Sequence, residues 1–185
     1  MNGHICPWWL GYFLINPFRR FWHNPKRILS PLVAEGMTVL EPGCGMGFFT
    51  LDLARLVGRQ GKVIAVDLQS KMLDGLMSRA RKAGLDGRIE ARLAQPASLG
   101  LEDYNGRIDF ILAFAMIHEL PDAKGFFIEA HRALKPGGRL LAAEPRGHVT
   151  ESAFAAMLAL AAAAGFRVES RPPIAISRAA VLVRV

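Results

Sequence analysis

The stretch Val39-Leu40-Glu41-Pro42-Gly43-Cys44-Gly45-Met46-Gly47 sets three glycines at alternate positions behind a short apolar run and an acid. Glycine reaches backbone conformations closed to other residues and lets a ligand come against the main chain. A helix opening after such a turn adds N–H groups that can face the same ligand. Glu41, two residues ahead of the first glycine, brings a carboxylate that accepts hydrogen bonds from a cationic amino group. Dinucleotide sites space their glycines G-x-G-x-x-G. Here the spacing is G-x-G-x-G, and a carboxylate that would repel a pyrophosphate suits an ammonium. Asp67 stands 20 residues beyond Gly47, where the apolar run Val63 to Val66 ends. An acid there can accept from both hydroxyls of a ribose. Its competing role is to cap the helix that follows, for which Ser70 is a rival.

A second group lies further along. Ile108 to Ala115 is nearly all apolar, as a strand buried on both faces should be, and runs into Met116-Ile117-His118-Glu119-Leu120. In open α/β sheets ligands sit beyond the carboxyl ends of the strands, so Phe114 and His118 border the reaction centre. His118 is a candidate base, because imidazole exchanges a proton near neutral pH. The other reading is that it orients its loop or caps the next helix. His148 lies in Glu144-Pro145-Arg146-Gly147-His148-Val149-Thr150. Either it lines the pocket at this strand end with His118, or its loop is polar because Thr150 caps a helix. Cys6 and Cys44 are too few for a disulfide framework or a structural zinc site, and no metal is expected.

These groups need a scaffold that delivers strand ends to them. Strands are expected over Thr38–Glu41, Gly61–Asp67, Ile89–Leu93, Ile108–Ala115, Leu140–Ala143, Phe166–Glu169 and Ala179–Val185. Helices are expected over Phe48–Val57, Lys71–Ala83, Ala123–Leu134 and Glu151–Ala164, with Lys135-Pro136-Gly137-Gly138 as a stop and turn. Alternating strands and helices imply a parallel sheet with right-handed crossovers, and the last two strands, with no helix between them, a hairpin-like end. The expected fold is therefore α/β and Rossmann-like: a doubly wound, mostly parallel seven-stranded sheet with an antiparallel last strand and helices on both faces. Residues 1–30 precede it as an aromatic-rich arm, broken by Pro7 and Pro17 into one or two short helices, and residues 31–185 form the domain itself. Three roles suit the arm. It can close as a lid, complete the core through Trp8, Trp9, Phe13 and Trp22, or lie at a membrane surface with Arg19, Arg20, Lys26 and Arg27 near anionic lipid.

The chain's 185 residues suffice for one domain with a sizeable core, and 51% hydrophobic against 21% charged residues excludes a disordered chain. The net charge of +7 and pI near 10.0 favour anionic partners. The cations are scattered, however, and the local cluster Arg79, Arg81 and Lys82 reads as a solvated helix face. The apolar stretch Ile5 to Ile15 lacks a charged leader segment and is shorter than the roughly 20 residues that span a bilayer. Two cysteines suit a reducing compartment, so a cytoplasmic location is expected.

In order along the chain, Val39 to Gly47, Val63 to Asp67, Phe110 to Leu120 and Leu134-Lys135-Pro136-Gly137-Gly138-Arg139-Leu140 resemble the motifs of the class I S-adenosylmethionine-dependent methyltransferases. The small-molecule subgroup called methyltransferase type 11, or UbiE-like, is most similar, over about Gly36 to Val185. The resemblance implies S-adenosyl-L-methionine as cofactor. It implies that Glu41, Gly43, Cys44, Gly45 and Gly47 surround its methionine and ribose portions, that Asp67 holds the ribose, and that Leu68 packs on the adenine. Gln95-Pro96 stands where the family often has an acid that reads the adenine amino group, and Glu41 stands where Asp is usual. The implied reaction is methylation of a small, partly apolar acceptor. Net charge makes an RNA methyltransferase the main alternative. Against it, no Asp/Asn-Pro-Pro-Tyr/Phe motif follows the fourth strand and no cysteine stands where cytosine C5 chemistry needs one. A regulatory protein that binds the cofactor without turnover shares the same glycine motif.

Overall fold

The computed structural model describes residue 16 and residues 18–95 and 98–185, which fall into two compact units divided near residue 96. The first unit opens with two short helices, α1 (Arg19–Trp22) and α2 (Pro25–Leu29). Asn24 starts α2 by accepting from the Arg27 N–H, and Pro25 fills the first helical position, where its missing N–H costs nothing. Strands β1 (Thr38–Pro42), β2 (Lys62–Asp67) and β3 (Ile89–Leu93) follow, with α3 (Thr50–Leu56) and α4 (Ser70–Lys82) between them. All three strands are parallel, with Pro42 opposite Val66 and Asp67 opposite Leu93, so their carboxyl ends share one edge. Val39, Leu40 and the whole run Val63 to Val66 are fully buried, as parallel strands covered on both faces require. Helix α4 buries Met72, Leu73, Leu76 and Ala80, one stripe at helical spacing.

The second unit holds β4 (Ile108–Phe114), α5 (Ala123–Ala133), β5 (Leu134–Pro145), α6 (Glu151–Ala163), β6 (Phe166–Ser170) and β7 (Ser177–Arg184). Strand β4 runs parallel to β5, and β7 runs antiparallel to both β5 and β6. The seven strands take the order β3-β2-β1-β4-β5-β7-β6, the Rossmann-like arrangement with an antiparallel last strand that the sequence predicts. Two local details differ. Helix α3 starts at Thr50 rather than Phe48, because residues 45–49 are still turning out of the glycine segment. Strand β5 starts at Leu134 rather than Leu140. Its pairing jumps from Ile108–Leu134 to Phe110–Arg139, so Lys135-Pro136-Gly137-Gly138 is extruded as a bulge within the strand instead of preceding it. Thr150 caps α6 by accepting from the Ala153 N–H at 3.2 Å, as its position predicts. No helix among the described residues is long and apolar enough to cross a membrane.

Candidate functional site

The glycine segment leaves β1 and is tied at once to the end of β2: the Gly43 and Cys44 N–H groups both donate to the Val66 carbonyl, at 2.8 and 3.2 Å. Gly45 and Gly47 are left-handed, with φ of +53° and +81°, but for different reasons. A Cβ on Gly47 would lie 2.3 Å from Leu76 Cδ1 of α4, so this glycine lets the loop close on the helix. A Cβ on Gly45 would meet none of the described residues within 4 Å, so among them this glycine leaves the main chain open. The Arg79 guanidinium, also from α4, pins the loop by donating to the Met46 carbonyl. A loop braced on one side and bare on the other is the cradle that close approach of a cofactor requires.

Two carboxylates serve this loop. Glu41 is buried at 4% exposure, and its Oε2 accepts from the Thr50 hydroxyl at 2.6 Å. Burial pushes its pKa up to about 8, against the opposing pull of the Thr50 hydroxyl and of Arg19. Arg19 reaches this place from α1 with its guanidinium 4.3 Å from the centre of the Phe48 ring. Burial also lowers the Arg19 pKa, while Glu41 raises it. Asp67 is half-buried. Its Oδ2 accepts from the Gly45 N–H at 2.9 Å and its Oδ1 from the Gln69 N–H at 3.0 Å. Burial raises the Asp67 pKa and these N–H groups lower it. The Leu68 N–H acts on the same carboxylate, which with about four lone-pair sites still has room for a hydroxyl. Neither Asp67 nor Ser70 caps α4, whose N-cap is Gln69 and makes no side-chain capping bond. Asp67 instead braces the glycine loop against the end of β2.

Around Asp67 lie the remaining residues expected to meet a nucleoside. Leu68 is 38% exposed, an apolar surface at the end of β2. Gln95 is exposed just past β3, whose exit is held to Asp67 by a 2.9 Å bond from the Ala94 N–H to the Asp67 carbonyl. Pro96 lies outside the described residues, as do Cys6, Trp8, Trp9 and Phe13. Trp22 is 55% exposed and does not complete the core. Cys44 is buried, which pushes its thiol pKa well up, so it offers no thiolate.

The second unit carries its own polar cluster. Strand β4 ends at the buried Phe114, and the next residue, Ala115, is held at φ +55°, a conformation L residues rarely adopt. A single 3₁₀ turn, Ile117–Glu119, then presents His118. Its partner is Glu144, fully buried near the end of β5, which accepts from the Ile117 N–H at 2.9 Å through Oε1 and from His118 Nδ1 through Oε2. With Nδ1 fixed as the donor, the neutral ring carries its lone pair on Nε2. Nε2 lies 3.9 Å from Glu119 Oε1, and the side chain is 21% exposed. The hydrogen bond to Glu144 raises the His118 pKa, partial burial works against it, and the charges of Glu144 and Glu119 add to the rise. The His148 ring meets His118 edge-on, 5.6 Å between centres, so the two expected histidines do come together. His118 does not cap α5; Asp122 does, accepting from the Gly125 N–H at 2.9 Å.

Glu144, Thr50 and Arg19 are the residues that motif reading passes over. Glu144 carried a usable signal, an acid closing an apolar strand, the same signal that marks Asp67. Thr50 and Arg19 carried none, since one is an ordinary helix-start residue and the other one of several cations in the arm.

Comparison with known proteins gives the family and the fold. A family model described as a methyltransferase domain matches residues 34–169. The ubiquinone/menaquinone biosynthesis C-methyltransferase UbiE of Escherichia coli is 34% identical over 112 residues, 60% of this chain and 44% of that protein. The match thus spans less than half the length of this curated relative. The crystal structure of a S-adenosylmethionine-dependent methyltransferase from Aquifex aeolicus superposes with a TM-score of 0.88, covers 98% of this chain and 100% of that one, and is 26% identical. A geranyl diphosphate C-methyltransferase from Streptomyces coelicolor, solved with Mg2+, geranyl diphosphate and S-adenosyl-L-homocysteine, shares the fold at a TM-score of 0.73 and 16% identity over 91% of this chain and 82% of that one.

Proposed function

The chain belongs to the class I S-adenosylmethionine-dependent methyltransferases, and from that premise we propose that it methylates a small, partly apolar acceptor from which His118 removes a proton. The observation that carries the reading is the buried Glu144, which fixes His118 Nδ1 as donor and leaves Nε2 as acceptor. Bound S-adenosylmethionine supplies a methyl group on a positively charged sulfur. The open main chain at Gly45 and the carboxylate of Asp67 hold the cofactor's polar parts, Leu68 and Gln95 its base, and Glu41 its ammonium. Arg19, placed beside Glu41 from α1, supports a part for this one residue of the N-terminal arm in cofactor binding. An acceptor that benefits from a histidine base carries a weakly acidic O–H or activated C–H, as phenols and quinols do. Production of S-adenosylhomocysteine with a panel of phenols and quinols tests this; turnover confined to RNA, or none with any acceptor, overturns it.

Two predictions belong to the cofactor itself. Asp67→Ala is expected to weaken S-adenosylmethionine binding by about 1–3 kcal/mol, the scale for losing a buried hydrogen-bonded charge. Calorimetry showing unchanged affinity removes Asp67 from the site. The second concerns Glu41, whose folded pKa of about 8 lies above its ordinary value of 4.5. A raised carboxyl stabilises the cofactor-free fold fully below about pH 4.5, and that contribution is lost as pH rises through about 8. Near neutral pH the carboxyl is largely protonated, and an ammonium beside it favours the carboxylate. Cofactor binding near pH 7 is therefore expected to release up to about one proton, seen as a dependence of binding heat on buffer ionisation. Glu41→Gln should abolish the release. Equal release in that variant means the proton comes from elsewhere.

A further inference from the structure

The side chains at the start of the described chain divide sharply. Arg19 turns inward, onto Phe48 and beside Glu41. Its neighbours turn outward: Phe18 is 67% exposed, Phe21 82% and Trp22 55%, and the Phe18 and Phe21 rings stack on each other at 6.2 Å. Arg20, Lys26 and Arg27 are exposed among them. Residues 1–34 contain no Asp or Glu, and four of the chain's cations, Arg19, Arg20, Lys26 and Arg27, fall there. Two further cations lie close by, Arg55 on α3 and Arg79 on α4, and the charges of Arg20 and Arg55 add to the burial that lowers the Arg79 pKa. The acid among them, Asp52, is already paired with Arg20 at 2.7 Å and Arg55 at 3.3 Å. Three large aromatic side chains left in water on one short segment mark an interaction surface rather than a core.

We propose that this face docks on an anionic lipid bilayer, with Phe18, Phe21 and Trp22 entering the headgroup region and Lys26 and Arg27 meeting lipid phosphates. Aromatic rings favour the interface between hydrocarbon and water, and long cationic side chains lay their stems along apolar surface while their charges stay at the phosphates. Charge selects the partner: an acid-free segment is drawn to anionic lipid by about 1 kcal/mol per cation near the surface, roughly a fivefold gain in binding for each. A single-stranded nucleic acid also pairs cations with aromatics, and it is the alternative that the test separates from lipid. The proposal does not depend on the methyl acceptor.

The test is co-sedimentation of the full chain with vesicles of phosphatidylcholine alone, or with about one third phosphatidylglycerol, at moderate salt. Binding is expected to the anionic vesicles and to be weak with the neutral ones. The double variant F21S/W22S should bind about tenfold less or worse, and K26E/R27E about twentyfold less or worse. Both should keep wild-type affinity for S-adenosylmethionine, which shows that they are folded. Absence of binding to anionic vesicles, or equal binding by wild type and both variants, overturns the proposal. So does binding of polyuridylate that these variants lose while vesicles are ignored, which makes nucleic acid the occupant. A wild-type dimer in size-exclusion chromatography that F21S/W22S dissociates, without vesicle binding, makes it a second copy of the chain.

Discussion

Gly47→Ala is expected to destabilise the protein by about 2–4 kcal/mol, whereas Gly45→Ala costs only its backbone strain, about 1–2 kcal/mol at most, and instead loses the cofactor. Both glycines are left-handed, so both substitutions carry a backbone cost of about 1–2 kcal/mol at most. They differ in what the new methyl meets. At Gly47 it would lie 2.3 Å from Leu76 Cδ1, and Leu76 is fully buried in the stripe that seats α4, so the helix or the loop must move. At Gly45 the methyl points into open space, with none of the described residues within 4 Å. If that space receives the cofactor, the methyl collides with ligand rather than with protein. Thermal melting with and without S-adenosylmethionine separates the two. The Gly47 variant should melt earliest in both conditions, and the Gly45 variant should melt between it and wild type when free and lose its ligand-induced shift. A Gly45 variant that keeps the shift takes the open side of the loop out of the cofactor site.

That difference between neighbouring glycines was not legible in the sequence, although the motif was. Alternating glycines behind a strand announce a turn and a ligand; only the position of α4 says which glycine packs and which is bare. The same limit explains the other gains. The strand-helix alternation and the acid at Asp67 are local signals, and the fold and the position of Asp67 at the end of β2 follow from them. Glu144 meets His118 across 26 residues only because β4 and β5 pair with Phe114 opposite Ala143, which brings the segments that leave both strands together. Register of this kind is a property of the sheet. Arg19 beside Glu41, and Thr50 beneath it, likewise depend on how α1 and α3 seat against the loop. The extruded Lys135 to Gly138 shows the reverse error: proline and glycine correctly signal an irregularity, but ladder bonds on either side continue the strand through it.

The sharpest consequence of the register concerns the histidine. If His118 removes the acceptor's proton, His118→Ala should lower kcat by about two to four orders of magnitude with little change in cofactor affinity. Glu144 acts through His118 as a positioning residue, and its signature is the pH profile. His118 works as a base only when neutral, and its pKa is raised above the ordinary 6.5 chiefly by the bond to Glu144. Wild-type kcat/KM should therefore climb with pH through that raised value. Glu144→Gln keeps an oxygen for the Ile117 N–H but no charge for an imidazolium, so the rise should move to lower pH while the plateau falls. Stability follows the same sign. The pair contributes most below about pH 6.5 and loses its effect as pH rises through the folded His118 pKa, so Glu144→Gln should cost more stability at pH 6 than at pH 9. A purely structural Glu144 would lower stability without shifting the pH of half-maximal activity. A His118→Ala protein that is folded and turns over within about threefold of wild type would show that the acceptor gives up its proton without this base, and that the Glu144 bond serves only to hold the loop after β4.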